Sequence, residues 1–372
     1  MISARKKISR WSICMLCVFG VAMIYIRLNP HYRTDIFRSF AKGNWYLFSE
    51  QDTLYAMGYY GVRKYLASDP KNLILLAEND EFTSARIIAR GGCVHGQYLY
   101  MTTRSFTNNS SQIGSLVVLQ KDNLESVRKI DSDMKLVEVQ QYLDRYLLVS
   151  GIGGFIIFDV INPSNPKEIF SYKHHKHREY QGFDFFENDN KLYVAFAHFA
   201  EGIGIWELDH SGKATAVTEI SLNESFLVNQ MPFYQTMDVI VDYPYLYATY
   251  ATQTEKVSLK SDRRGLLVAD LSDLDNIANK IVLIPASDWY RKTTGDRQPS
   301  YLKKFENNVY LNFGEKGVAI FDVSNPDNPY YIGTNDLSND RALIQPIYVT
   351  DDGKLFTGSY YWKTIFGTAL GK

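Results

Sequence analysis

Gly317-Val318-Ala319-Ile320-Phe321-Asp322-Val323-Ser324-Asn325-Pro326-Asp327-Asn328-Pro329 is the stretch whose reading decides the fold. Val318 to Val323 is an apolar run of β-branched and aromatic residues, the composition of a buried strand. Two Asn-Pro pairs then force a turn, because proline fixes φ and has no N–H to give to a ladder. Strand, tight turn and next strand form one unit, and that unit recurs.

Two anchors follow the recurrence along the chain. The first is an inner strand marked by Leu54-Tyr55, Leu99-Tyr100, Leu147-Leu148, Leu192-Tyr193, Leu246-Tyr247, Val309-Tyr310 and Leu355-Phe356. The second is a glycine opening the next strand: Gly61, Gly114, Gly154, Gly202, Gly265 and Gly317, at steps of 53, 40, 48, 63 and 52 residues. Such steps suit four short strands joined by loops of uneven length. A further strand lies ahead of the first anchor, clearest at Met237–Val241 and Gly182–Phe186, and is turned by Asp242-Tyr243-Pro244 or Asn188-Asp189-Asn190. Four strands per unit and seven units predict an all-β, seven-bladed β-propeller, in which closing the ring hides most sheet edges. The seventh unit stops short, which a strand near residues 31–42 would make good by locking the ring. The expected organisation is residues 1–30 as a leader, 31–44 as a linker or ring-closing strand, and 45–372 as the propeller.

The units Gly154-Phe-Ile-Ile-Phe-Asp-Val-Ile-Asn-Pro-Ser-Asn-Pro166 and Gly317 to Pro329 resemble the LVIVD-repeat proteins, exported bacterial and archaeal β-propellers. The similarity is partial at Gly265–Asp273 and at Gly61-Val62 with Ser68-Asp69-Pro70, and faint at Gly114 and Gly202. The resemblance implies a propeller fold and a cell-surface or periplasmic position. It implies no shared chemistry and supplies no catalytic residue.

Residues 1–30 carry Arg5, Lys6, Lys7, Arg10 and Arg27 and no carboxylate, with a mainly apolar run from Trp11 to Ile26. This pattern is an export segment. Gly20-Val21-Ala22 offers a cleavage site, whereas the continuation through Met23-Ile24-Tyr25-Ile26 favours an uncleaved signal anchor. The basic flank stays cytoplasmic, placing the body in the cell envelope, periplasmic or extracytoplasmic. Removing these five positive charges from a net charge of −1 leaves about −6 for residues 31–372. A mildly acidic body lacks the basic face that nucleic-acid binding requires. Cys93 is the only cysteine outside the leader, so the body can form no internal disulfide.

No catalytic motif stands out: there is no Gly-x-Ser-x-Gly elbow, and Gly151-Ile152-Gly153-Gly154 joins strands rather than opening a helix. His174, His175 and His177 are crowded by Lys173, Lys176 and Arg178, which repel a cation, so the cluster reads as a solvated basic loop and no metal or cofactor is expected. Asp159, Asp270 and Asp322 precede turns, where carboxylates accept backbone N–H bonds. Asp184, Asp238 and His198 could meet at the channel mouth as hydrolytic machinery, although acids starting inner strands equally cap turns. Loops between the second and third strands hold the residues suited to an interface: Tyr59 and Tyr60, Arg104, His198 and Glu201, and Tyr360, Tyr361 and Trp362. The expected function is non-catalytic binding of a protein or other macromolecular envelope partner, of the assembly-factor or inhibitor kind. An envelope hydrolase or lyase acting on glycan or peptide, and a lectin stacking sugars on the same rings, are the alternatives.

Overall fold

The computed structural model describes residues 43–84, 87–105, 114–174, 180–198, 202–220, 233–252, 264–286, 301–312, 317–335, 344–359 and 365–370. They form seven antiparallel sheets arranged as the blades of a propeller. Within each blade the strands pair in chain order, so a blade is a simple meander. The first strands are Asn44–Glu50, Ile87–His95, Lys135–Tyr142, Tyr180–Asn188, Val239–Asp242, Leu302–Phe305 and Ile344–Val349. Each packs against the first strands of the two neighbouring blades, and the last packs on the first, so these seven strands surround the axis. Blade five adds a short strand, Phe233–Gln235, ahead of its axial strand, and blade seven shows three strands among the described residues.

The repeat ruler holds with one correction. Val318–Asp322 is the third strand of blade six and Tyr330–Asn335 its fourth, as the opening stretch predicts. The strand marked by an apolar-Tyr pair, however, is second from the axis, and the strand ahead of it is the innermost. The second strand is the more apolar because both its faces are covered by neighbouring blades, while one end of the axial strand meets a polar channel.

Period-two alternation builds the core. Leu147 and Val149 point into a cluster shared with blade two, containing Tyr100, Leu116 and Val118. Leu148 points the other way, into a cluster with Phe183, Val194 and Phe196 of blade four. The described residues show seven such clusters, one at each blade junction. The closing junction joins Leu47, Leu54 and Ala56 to Phe356, and Asn44 Nδ2 donates to the Ser359 carbonyl across it at 3.4 Å.

The strand-opening glycines have a common reason. A Cβ at Gly61 would fall on the Asn79 carbonyl oxygen, and one at Gly154 on that of Tyr172, because the end of the paired fourth strand lies against the glycine there. Both glycines also hold positive φ, +84° and +150°, which other residues adopt only with strain. The acids after the third strands are turn builders: Asp322 Oδ1 accepts the Ser324 N–H at 2.8 Å and Asp159 Oδ1 that of Ile161 at 2.8 Å.

The propeller has two unlike ends. Turns between first and second strands, and between third and fourth, lie at one end. Turns between second and third strands, and the passages from blade to blade, lie at the other.

Candidate functional site

At the second end, where axial strands begin, the axis holds a cavity of about 40 Å³ lined by Trp45, Tyr46, Arg90, Val137, Glu138, Gln181, Gly182, Met237, Asp238 and Tyr301. Six of the seven blades contribute. The lining is mixed: the polar groups of Tyr46, Arg90, Glu138, Gln181, Asp238 and Tyr301 converge there beside the apolar surfaces of Trp45, Val137 and Met237.

Most of its acids are tied into the scaffold. Asp238 Oδ1 accepts the Val239 N–H at 3.0 Å and Oδ2 accepts the Leu302 N–H of blade six at 3.0 Å. Asp184 repeats the device one blade earlier, accepting Phe185 N–H at 2.9 Å and Val241 N–H of blade five at 2.8 Å. Each carboxylate therefore docks its blade onto the next. Glu138 Oε1 accepts the Tyr46 hydroxyl, reaching across from blade one, at 3.0 Å and Gln140 Nε2 at 3.0 Å. Ser150 Oγ donates to the Gln181 carbonyl at 2.7 Å, and Thr102 Oγ1 to that of Val137 at 2.8 Å, joining further blades.

Burial governs the electrostatics. It pushes the Asp238 carboxyl up to about 7, helped by Glu138 and opposed by Lys303. Burial likewise raises Glu138, against the Lys303 charge and its hydrogen bonds, and raises Asp184. Burial pulls the Lys303 ammonium down, but Asp238 and Glu138 outweigh it and the net shift is upward. Burial and then Glu138 raise the Tyr46 phenol.

Arg90 is the exception in this network. It is 7% exposed and, among the described residues, makes no ion pair. Its guanidinium stacks 4.5 Å from the Trp45 ring and donates only long bonds, 3.4 Å each, to the Tyr301 hydroxyl and Gln181 Oε1. Its Nε is buried with no hydrogen-bond partner among the described residues.

The interface residues expected from sequence fare differently. Tyr59 and Tyr60 do occupy the turn between the second and third strands, but at 8% and 7% exposure they are buried, which corrects their reading as displayed anchors. A two-residue turn folds them back on the axial strand: the Tyr60 hydroxyl donates to Asn44 Oδ1, Arg63 lies over its ring, and Tyr59 meets Trp45 edge-on at 6.2 Å. Arg104 belongs to the strand Tyr98–Ser105 rather than to a loop, and its charge reaches Tyr301.

His198, 3% exposed, ends a second strand and packs edge-on against Tyr180 at 4.4 Å, with Nδ1 3.6 Å from Glu219 Oε1. It is not part of the cavity wall, so the trio of Asp184, Asp238 and His198 is divided: the acids stand at the axis and the imidazole within a blade. Glu201, Tyr360, Tyr361, Trp362, His175 and His177 lie outside the described residues, as do residues 1–42. Among the described residues no three His, Cys, Asp or Glu side chains are grouped to hold a metal ion. Reading the repeat misses Arg90, Glu138, Lys303, Tyr46 and Tyr301. A usable signal was present: a charge embedded in an otherwise apolar axial strand, as in Ile88-Ala89-Arg90 and Val137-Glu138-Val139.

The family model for the LVIVD repeat matches residues 144–174 and 303–336, the segments of blades three and six that carry the Asn-Pro turns. This chain carries LVIVD repeats. No curated protein matches it. Among solved structures the LVIVD-repeat propeller is similar to the WD40 domain of Neurospora crassa Pan2, at 9% identity over 93% of this chain and 92% of that one, with a TM-score of 0.58. It is also similar to the periplasmic gluconolactonase PpgL of Pseudomonas aeruginosa, at 13% identity, 79% and 85% coverage and a TM-score of 0.57. BamB from Moraxella catarrhalis aligns at 10% identity, 86% and 92% coverage and a TM-score of 0.52. At these identities the likeness is one of fold.

Proposed function

We propose that this chain is an exported propeller, anchored in the envelope membrane by its N-terminal apolar segment, that binds a protein or other macromolecular partner without turnover. The observation that carries this reading is the engagement of the axial acids. Asp184 and Asp238 each give one oxygen to an amide of their own blade and the other to an amide of the following blade, and the cavity that Asp238 lines, about 40 Å³, holds roughly three waters rather than a sugar ring or a peptide. Carboxylates spent in this way serve architecture, which leaves the outer surfaces of the propeller for recognition.

One observation favours the alternative of an envelope hydrolase or lyase: Asp238 and Glu138 both have raised pKa values at a cavity, the pattern of a general acid with its partner. Affinity capture of the tagged full-length chain from envelope extract of its own host, with mass spectrometry, separates the two. Binding predicts a stoichiometric partner still captured by the Glu138→Gln variant. Turnover of envelope glycan or peptide that Glu138→Gln abolishes would replace this reading with the enzymatic one.

A further inference from the structure

We infer that the axial cavity is a carboxylate-binding site whose receptor is Arg90, completed by the Tyr301 hydroxyl. A guanidinium removed from water needs an acceptor, and leaving it without one is costly. Trp45 compensates it in part through its ring face. The two bonds Arg90 makes, at 3.4 Å each, exceed the usual 2.9 Å by enough to be weak. Its Nε has no hydrogen-bond partner among the described residues. The five-donor fork of arginine matches the two oxygens of a carboxylate, and the cavity of about 40 Å³ beside it accepts one carboxylate head in place of about three waters.

The acids in the same wall do not close the site to an anion. Glu138 already accepts from Tyr46 and Gln140, and Asp238 from two amides. Burial also keeps both more protonated than they would be in water, and Lys303 offsets what charge remains. Among the described residues, Arg90 brings to this cavity a charged donor group whose hydrogen bonds are both long. A carboxylate from a small free acid and one from a polypeptide end share this chemistry.

Both can be titrated against the full-length chain by methyl or methylene saturation-transfer NMR, using sodium acetate in one arm and triglycine or its amide in the other, with chloride holding ionic strength constant. Wild-type protein is expected to bind acetate saturably. Arg90→Gln weakens that binding by at least about tenfold, the loss of a charge-assisted bond, and Tyr301→Phe by about fivefold, the loss of a neutral one. Triglycine bound at least as tightly as acetate, with its amide silent, assigns the carboxylate to a chain end. Acetate bound alone assigns it to a small acid.

No saturable signal above chloride for either probe in the wild type overturns the proposal. So does wild-type affinity retained in Tyr301→Phe, which keeps the fold even if Arg90→Gln does not. Because no envelope partner is present in the titration, its failure leaves the recognition reading intact, and failure to capture a partner leaves this one intact.

Discussion

Glu138 is the residue through which the axis responds to pH. Its carboxyl, with those of Asp184 and Asp238, is raised by burial, and it stands among Tyr46, Lys303, Arg90 and Tyr301. A carboxyl whose folded pKa exceeds its unfolded value, about 4, holds more protons in the folded chain across that interval. Its contribution is therefore complete at and below the unfolded pKa and is lost as pH rises through the folded one, here about 7 for Asp238. The half-buried turn acids have the opposite sign: hydrogen bonds from Ser324 hold the Asp322 carboxyl low, and the bond from Arg145 does so for Asp159, so their contribution is lost as pH falls below about 4.

The urea midpoint is accordingly expected to decline from pH 5 to pH 7.5. In Glu138→Gln, which keeps an oxygen for Tyr46 and Gln140 but sheds the charge, the decline should be shallower. A wild-type midpoint that climbs over this interval would contradict the account. Asp184 and Asp238 are legible in the sequence as acids of the strands ahead of the apolar-Tyr anchors, although Asp184 stands in the middle of its strand and Asp238 just before its own. Arg90, Glu138 and Lys303 are not, because the repeat is read from its apolar positions and an isolated charge registers only as an interruption. The burial of Tyr59 and Tyr60 is equally hidden, since it depends on an axial strand folding beside a turn and not on the turn itself.

Among elements, the third strand shows most directly how sequence becomes structure. Its apolar run is continuous because Leu266 and Val268 face one neighbouring blade while Leu267 and Ala269 face the other. The run is opened by a glycine because a backbone carbonyl of the paired fourth strand occupies the place of a Cβ. Gly154→Ala should lower stability by about 2–3 kcal/mol, the combined cost of backbone strain and a displaced carbonyl. Gly96→Ala is the control: Gly96 has φ +59° but nothing within 4 Å of an added Cβ, and strain alone costs about 1 kcal/mol. Equal losses in urea unfolding would show that the paired fourth strand yields freely. Strand, turn and period are local properties and so are readable in advance. Which strand lies innermost is not, because second and first strands differ in their neighbours more than in their residues.

At the scale of the whole molecule, the described residues give no blade a core of its own. Each apolar cluster is divided between two blades, so unfolding one blade uncovers two junctions and the described ring should unfold in one cooperative step. Ring closure rests in part on Asn44, which donates to Ser359 and accepts from Tyr60. Asn44→Ala removes both bonds and should cost about 2 kcal/mol while preserving a single transition by both circular dichroism and tryptophan fluorescence. Separate transitions for the two probes would show that blade seven opens by itself.

The unlike ends of the propeller have a practical corollary for measurement. The turn containing Asp327 is exposed and lies at the end opposite the cavity, so a biotin carried on Asp327→Cys would hold the molecule on a sensor surface with its axial mouth toward the flowing solution. Attachment geometry is thereby set by the architecture of the repeat: the Asn-Pro turns serve as the handle, and the other end stays open to whatever is presented to it.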